Sequence, residues 1–272
     1  MKKIVGLVDL KWMLWFALCG FASCHTAKTN NPKTGIFCTD HDADGVVIEQ
    51  ADGAFVAQKT STPIIIDGCG TDAIWSTVPW YSMNYVWMGN QPTTADYHGK
   101  FKLAWDAQFL YILVAVQDDI LHPTLADGME NYWKGDYVEV FLDEDQSGGD
   151  HKENHQAFAY HVTTDGHAID LNTQGKATFF DSHVNVRRSQ EGDLHLWELA
   201  ISLHDKQFDE NKITNKPVTI TAQKRIGFSI AYGDNDGNKT RENFMGSKKT
   251  HGVNNDEGYV NASVFGSLLF VE

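Results

Sequence analysis

The stretch Glu130-Asn131-Tyr132-Trp133-Lys134-Gly135-Asp136-Tyr137-Val138-Glu139-Val140-Phe141-Leu142-Asp143-Glu144-Asp145 decides the fold. From Asp136 onward its side chains alternate. Val138, Val140 and Leu142 share one face, and Tyr137, Glu139 and Phe141 share the other. Successive side chains of a strand point to opposite faces, so this is a strand with one apolar face for a core. The other face carries a carboxylate between two rings. An aromatic loop precedes the strand and places Trp133 where its flat ring can meet a ligand; an acidic loop follows.

The same pattern recurs on both sides. Phe101, Leu103 and Trp105 alternate with Lys102 and Ala104, and Phe109 to Val116 is a continuous apolar run, read as a strand buried on both faces. Phe158, Tyr160 and Val162 line one face of the segment 156–164. Segments 183–190 and 194–201 flank Glu191-Gly192-Asp193, a hairpin signal, with Trp197, Leu199 and Ile201 facing inward. Ile226, Phe228, Ile230 and Tyr232 share a side of another strand, and the last runs from Ser263 to Val271. Pro63 to Ile66, ending in Asp67-Gly68, is read as the first strand, and Asp72 to Trp75 as one helical turn. Residues 80–99 are rich in aromatics without a clean period and read as a loop; residues 202–222 read as irregular. About ten short strands with frequent Gly turns predict an all-β fold, an antiparallel β-sandwich of immunoglobulin or jelly-roll type with long loops and little helix. No internal repeat or second core is visible, so residues 63–272 are read as one domain.

The first residues are not part of that fold. Lys2, Lys3 and Lys11 precede an apolar run from Trp12 to Ala22, the pattern of a signal peptide and too short to span a bilayer. Phe21-Ala22-Ser23-Cys24 resembles a bacterial lipobox, in which Cys24 becomes the lipidated N-terminus; a plain signal peptide cut nearby is the competing reading. Residues 1–24 are therefore expected to direct export and anchor the chain at the cell envelope, and residues 25–62 to form a flexible tether. Cys38 and Cys69 then remain, either as a disulfide in an oxidising compartment or as two free thiols.

The formal net charge of -14 excludes the basic footprint that nucleic-acid binding needs. Acidic loops suit calcium instead. Asp143, Asp145 and Asp150, in a Gly-rich polar loop, are the candidate ligands, against a plain solvated loop; no cofactor is required. Asp40-His41-Asp42-Ala43-Asp44-Gly45 copies the start of an EF-hand loop, but Ala51 stands where the bidentate Glu belongs, so it reads as acidic linker. His151 and His155 lie in a non-helical stretch and do not form a zinc pair. No Gly-rich phosphate loop, serine nucleophile elbow or spaced Cys/His set occurs.

Taken in order, Ile66-Asp67-Gly68 with Trp75, Trp105-Asp106 leading to Leu110-Tyr111-Ile112, Trp133 through Asp143, and Phe265-Gly266-Ser267-Leu268 resemble the family 9 carbohydrate-binding modules and the sugar-binding lipoproteins built on that fold. The resemblance covers residues 63–271. It implies a sandwich whose slot grips a sugar between two aromatic rings. One ring corresponds to Trp133; the other, six residues before Phe265-Gly266, corresponds to Tyr259. The strand carboxylate corresponds to Glu139, and a polar loop contact falls near Asp256. A family arginine falls on His161, a departure that Arg241 could make good; Arg241 could equally pair with Asp234 or Asp236.

The expected function is non-catalytic binding of a mono-, oligo- or polysaccharide by an exported protein. Aromatic rings stack on the C–H faces of a sugar, while carboxylates accept its hydroxyl hydrogen bonds. Two readings compete. A glycoside hydrolase, or an accessory domain of one, needs two carboxylates about 5–9.5 Å apart across a sugar. Asp136 and Glu139 point to opposite faces, leaving Asp118 or Asp119 with Glu139. A haem-binding electron-transfer sandwich needs axial ligands, with His161 and Met245 as candidates.

Overall fold

The structure is a computed structural model, and it describes residues 46–49, 53–249 and 256–272. The expectations for Cys24, Cys38 and the Asp40–Gly45 segment lie outside the described residues. Fifteen strands follow in chain order: β1 (Val47–Ile48), β2 (Ala54–Lys59), β3 (Trp80–Ser82), β4 (Tyr85–Met88), β5 (Tyr97–Trp105), β6 (Leu110–Asp118), β7 (Tyr137–Asp143), β8 (Phe158–Thr163), β9 (Ala168–Leu171), β10 (Ala177–Phe179), β11 (Val184–Glu191), β12 (Leu194–Ile201), β13 (Arg225–Asp234), β14 (Asn243–Gly246) and β15 (Gly266–Val271). Among the described residues the only helical pieces are single 3-10 turns at Ala73–Ser76, Met129–Asn131 and Ala262–Val264. No described helix is long and apolar enough to cross a membrane.

The hydrogen-bonded path runs β10-β9-β8-β7-β13-β15-β2-β5-β6-β12-β11. It doubles over on itself. Val138, Val140, Leu142, Phe158, Tyr160, Phe228 and Ile230 from one half pack in the same core as Leu103, Ile112, Val114, Trp197 and Leu199 from the other. These are the alternating apolar faces read from the sequence, brought together as the two layers of a β-sandwich. On the outer side of β6 and β12, Glu198 accepts bonds from Trp75 Nε1 (2.9 Å) and from the amides of Asp67 and Gly68 (both 3.0 Å), fixing the segment before β3.

Three expectations need correction. The Pro63–Ile66 segment forms no strand; the chain enters the sandwich earlier, at β2, inside the stretch read as a tether. Phe55 and Ala57 alternate inward there and are buried. β2 lies parallel to both β15 and β5, and those partners are distant in sequence, so nothing local announces it. Residues 80–99 contain β3 and β4 rather than one loop. Pairing is antiparallel except where β1 meets β3 and where β2 meets its two neighbours. Cys69 is disulfide-bonded, with its partner outside the described residues.

Candidate functional site

The face of β7 opposite the core carries Tyr137, Glu139 and Phe141, as the alternation predicts. Opposite them stand Thr163, His161 and Ala159 of β8 on one side and Gly233, Ala231 and Ser229 of β13 on the other. Gly233 is needed there: a Cβ would lie 2.6 Å from the Tyr137 ring, so glycine lets that ring lie across β13. This face is not open. Tyr137 and Phe141 pack with Trp87 from β4, Phe244 from β14 and Phe265 in a second apolar cluster. Trp87 stacks edge-on to Phe244 with centroids 5.4 Å apart, and its Nε1 donates to the Lys248 carbonyl (2.8 Å). Trp87 is thus a packing residue.

Glu139 sits in this layer with only 2% of its surface exposed. His161 lies across from it, with Nε2 3.4 Å from Glu139 Oε2 and Nδ1 3.2 Å from the Ala159 carbonyl. The rings of Tyr132 and Tyr137 close on His161 at 4.6 and 4.5 Å. Burial pushes the His161 pKa down to about 3, so the imidazole is neutral. Burial pushes Glu139 well above the ordinary carboxylate range; Arg241 opposes that rise, while Asp256 and Asp170 add to it.

Arg241 is the cation of this cluster. Its side chain is 6% exposed and pairs with Asp256 at 2.7 Å. It also donates to the Tyr137 hydroxyl and lies over the Phe244 ring, 4.2 Å from the centroid. Burial works against its charge, but Tyr137, Asp256 and Glu139 outweigh that and hold its pKa above the usual value. The sequence left Arg241 a choice of Asp234 or Asp236; the structure gives it Asp256. An arginine does stand beside Glu139, though it arrives from the segment before β14 rather than from the β8 position that His161 occupies.

Two exposed rings belong to the loops bordering this buried polar floor. Trp133 is 39% exposed and follows Tyr132, the ring that packs on His161. Tyr259 is 43% exposed and follows Asp256, the partner of Arg241. The Trp133 loop is held by Asp136, a residue whose role the sequence did not reveal. Asp136 accepts from the amides of His122 and Asn235 (the latter 2.7 Å), and Asn235 Nδ2 donates to the Lys134 carbonyl. The Tyr259 loop is held by His151, read from sequence as part of a solvated loop. His151 is buried, with Nε2 2.8 Å from the Gly258 carbonyl and its amide donating to Val260 (2.9 Å). Asp150 bridges to Asn261 in the same seam.

Of the calcium candidates, Asp143 and Asp145 lie within hydrogen-bond reach of each other, and Asp143 Oδ1 is buried with no hydrogen-bond partner. Asp150 does not join them in a cluster of three carboxylates among the described residues. Asp143 accepts from the Gly148 amide (2.7 Å), and Asp145 pairs with Lys206 at 3.3 Å. The hydrogen bond from Ser147 leads the effects that hold Asp145 at about 2.

The competing chemistries fare as follows. Asp118 bonds the Tyr232 hydroxyl, and Tyr232 belongs to the main core, the opposite side of the sheet from Glu139. Asp136 is fully buried with both oxygens accepting backbone amides. Neither faces Glu139 across a slot. Met245 packs in the main core while His161 lies on the other face with both nitrogens engaged, so they cannot form a haem ligand pair.

Comparison with known proteins is consistent with this architecture. The family model described as "Carbohydrate family 9 binding domain-like" matches residues 66–272. Among curated proteins, endo-1,4-beta-xylanase A of Thermotoga maritima is 31% identical over 136 residues, and that of Thermotoga neapolitana 32%. The match takes in 50% of this chain but only 11% of each enzyme. Among solved structures, a family 9 carbohydrate-binding module from Caldicellulosiruptor kristjanssonii in complex with cellotriose is similar at a TM-score of 0.57 and 21% identity, covering 80% of this chain and 94% of that one. The same module with glucose gives 0.55 at 21% identity, covering 79% of this chain and 95% of that one.

Proposed function

We propose, from the premise that this chain belongs to the carbohydrate family 9 binding domain-like family, that it binds saccharides without altering them, in a slot bordered by Trp133 and Tyr259. The observation that carries this reading is the pair of exposed rings on loops bordering a buried polar floor. A partly exposed indole offers a flat apolar face, and a pyranose offers a flat C–H face to stack on it. Asp256, partly exposed and tied to Arg241, is the charged group best placed to accept a hydroxyl. Glu139 and His161 act beneath the slot: they hold Arg241 and Tyr132 in place rather than reaching far toward the ligand. The similar Caldicellulosiruptor module carries cellotriose or glucose, so β-linked glucose units are the first candidates.

The xylanase relatives favour a second, related reading. Only part of each matches, so a domain of this kind can serve as a non-catalytic accessory to hydrolysis elsewhere. A catalytic role for this chain is disfavoured because Glu139 is buried beneath the slot and Asp256 is tied to Arg241. Export and anchoring through Cys24 complete the reading, placing the slot at the cell envelope, where many weak contacts reinforce one another.

The test is titration calorimetry against glucose, cellobiose, cellotriose and xylo-oligosaccharides, with chromatography of the mixture afterwards. Saturable heat that Trp133→Ala abolishes, with the sugar recovered intact, is the expected outcome. Heat unchanged in both Trp133→Ala and Tyr259→Ala would remove the slot. Product formation would put hydrolysis first.

A further inference from the structure

We propose that Met88 is an oxidation-sensitive member of the sugar slot, whose thioether holds a donor of Arg241 until a sugar hydroxyl takes it. This rests on the slot reading above and names a side chain that reading leaves out. Met88 ends β4 and pairs opposite Phe244 of β14. Arg241 Nη2 donates to its sulfur over 3.1 Å. The same nitrogen pairs with Asp256 Oδ2 at 2.7 Å, so the thioether and the carboxylate are neighbours on one guanidinium nitrogen. Tyr259, in the same loop as Asp256, is the exposed ring on that side. Met88 is itself 38% exposed.

The backbone beneath this side chain is fixed. Trp87 is buried against Phe141 and Phe244. Gly89 turns the chain at a positive φ, and a Cβ there would run into the Glu242 carbonyl oxygen. The Asn90 amide donates to Asn243 Oδ1 at 3.1 Å. The guanidinium is fixed as well: its side chain is buried, Nη1 donates to the Tyr137 hydroxyl, and it lies over the Phe244 ring. The methionine side chain, unbranched and polarisable, is the adaptable part.

The donors of Arg241 are under-used. Nε is buried with no hydrogen-bond partner. Nη2 has Asp256 for one proton and a thioether, a weak acceptor, for the other. A sugar hydroxyl that donates to Asp256 brings its own oxygen beside Nη2, and that oxygen is a stronger acceptor than sulfur. The exchange leaves the methyl and methylene groups of Met88 to pack on the C–H edge of the sugar. A thioether in this place covers the donor in the empty slot without withholding it from the ligand.

Oxidation changes that balance. A two-electron oxidant such as hydrogen peroxide transfers one oxygen atom to the sulfur. The S=O bond forms, the O–O bond breaks, sulfur loses two electrons, and water is the other product. The sulfoxide oxygen is a strong acceptor, and beside Nη2 it competes with the sugar hydroxyl for the same proton. Met83 and Met245 are 0% exposed and shielded from such an oxidant; Met88 is not.

The experiment titrates the full chain by calorimetry with cellotriose and, separately, with xylotriose. The native chain and Met88→Leu are compared before and after hydrogen peroxide, and peptide mass spectrometry reads the oxygen on Met88. Leucine keeps apolar bulk and lacks the acceptor, so Met88→Leu should bind about twofold more tightly. The oxidised native chain should bind about five- to tenfold more weakly, and a methionine sulfoxide reductase with a thiol reductant should restore it. Met88→Leu should keep its affinity after peroxide, which assigns the loss to residue 88 rather than to another methionine. A side chain that only packs gives the other sign, with Met88→Leu binding as the native chain does or more weakly. That result, native affinity with Met88 fully oxidised, or a Met88 that peroxide leaves intact overturns the proposal, while the native titration still supports the slot. If the native chain binds neither sugar, the slot reading falls and this one with it. Should Met88→Leu fail to fold, the oxidised and re-reduced native chain decides by the same criterion.

Discussion

Arg241→Gln tests whether one guanidinium holds the polar floor of the slot together. The substitution removes the ion pair to Asp256, the bond to the Tyr137 hydroxyl and the cation over Phe244. It leaves Glu139 buried with no compensating charge. Breaking a buried pair by deleting one partner costs about 3–5 kcal/mol. Asp256 is 32% exposed and can recover solvent, so the low end, about 3 kcal/mol, is expected here. At about 2–4 °C per kcal/mol for a domain of this size, Tm should fall by about 6–12 °C at pH 8. The loss should also depend on pH. The Glu139 pKa is raised in the folded state, so its protonated form favours folding at low pH and that advantage disappears as pH rises through the folded pKa. Removing Arg241 takes away the charge that opposes the rise, so that pKa goes higher still. The gap between variant and native should therefore narrow as pH falls from 8 to 5. Thermal unfolding followed by circular dichroism at four pH values reads both quantities. A deficit below about 1 kcal/mol, or one of constant size across that range, would refute the reasoning.

Two further outcomes follow from the packing. Gly246→Ala forces a methyl into the Trp87 indole, whose Cε2 lies 1.9 Å from the position a Cβ would take; denaturant unfolding should show a loss of about 1–3 kcal/mol and a changed tryptophan emission. His155, His183 and His204 are buried among Phe158, Phe180 and Phe208, and burial leads the effects that lower each pKa, to about 3 for His183 and about 4 for His204. Because these values lie below that of the unfolded chain, the stability they contribute is present above about pH 6.5 and lost as pH falls toward 4. His183 and His204 should each cost about 1 kcal/mol by pH 5.5, and His204→Phe should flatten the urea midpoint against pH by one histidine's share; an unchanged slope would sink the idea.

Much of the fold was legible because alternation is a local signal. Val138, Val140 and Leu142 face the core as their spacing requires, and the same holds for β8, β12 and β13. What stayed hidden depends on partners far away in sequence. Phe55 and Ala57 look like part of a polar linker until β15 pairs beside them. Trp133 and Tyr259 were legible as candidate rings through the order of motifs, and both are exposed as such a role needs. Glu139 was legible as a carboxylate between rings, but its burial was not, because the cover comes from β4, β14 and the Tyr132 loop. His151 gave no signal of its place: its ring donates to one distant carbonyl, that of Gly258, and nothing local announces that contact. The acidic residues of 143–150 drew the calcium expectation by their density, whereas the converging oxygens come from strand ends spread from Asp96 to Glu242. Density within one segment is visible in a sequence, but convergence across segments is not.

The placement of β15 bears on the order in which the sandwich can form. It is the last of the described strands, yet it lies between β13 and β2, with antiparallel bonds to one and parallel bonds to the other. β2 meets β5 at only two register positions, so β15 supplies most of its pairing. Until β15 is in place, β2 and the first half of β13 each present an open edge, and the two layers lack a hydrogen-bonded seam. Loop closure over nearly the whole domain must precede that seam, which makes it a late and slow event. During this interval an exposed strand edge can pair with another chain, so the segment at risk of misassembly is the one between the ends of the domain rather than the aromatic loops at its mouth.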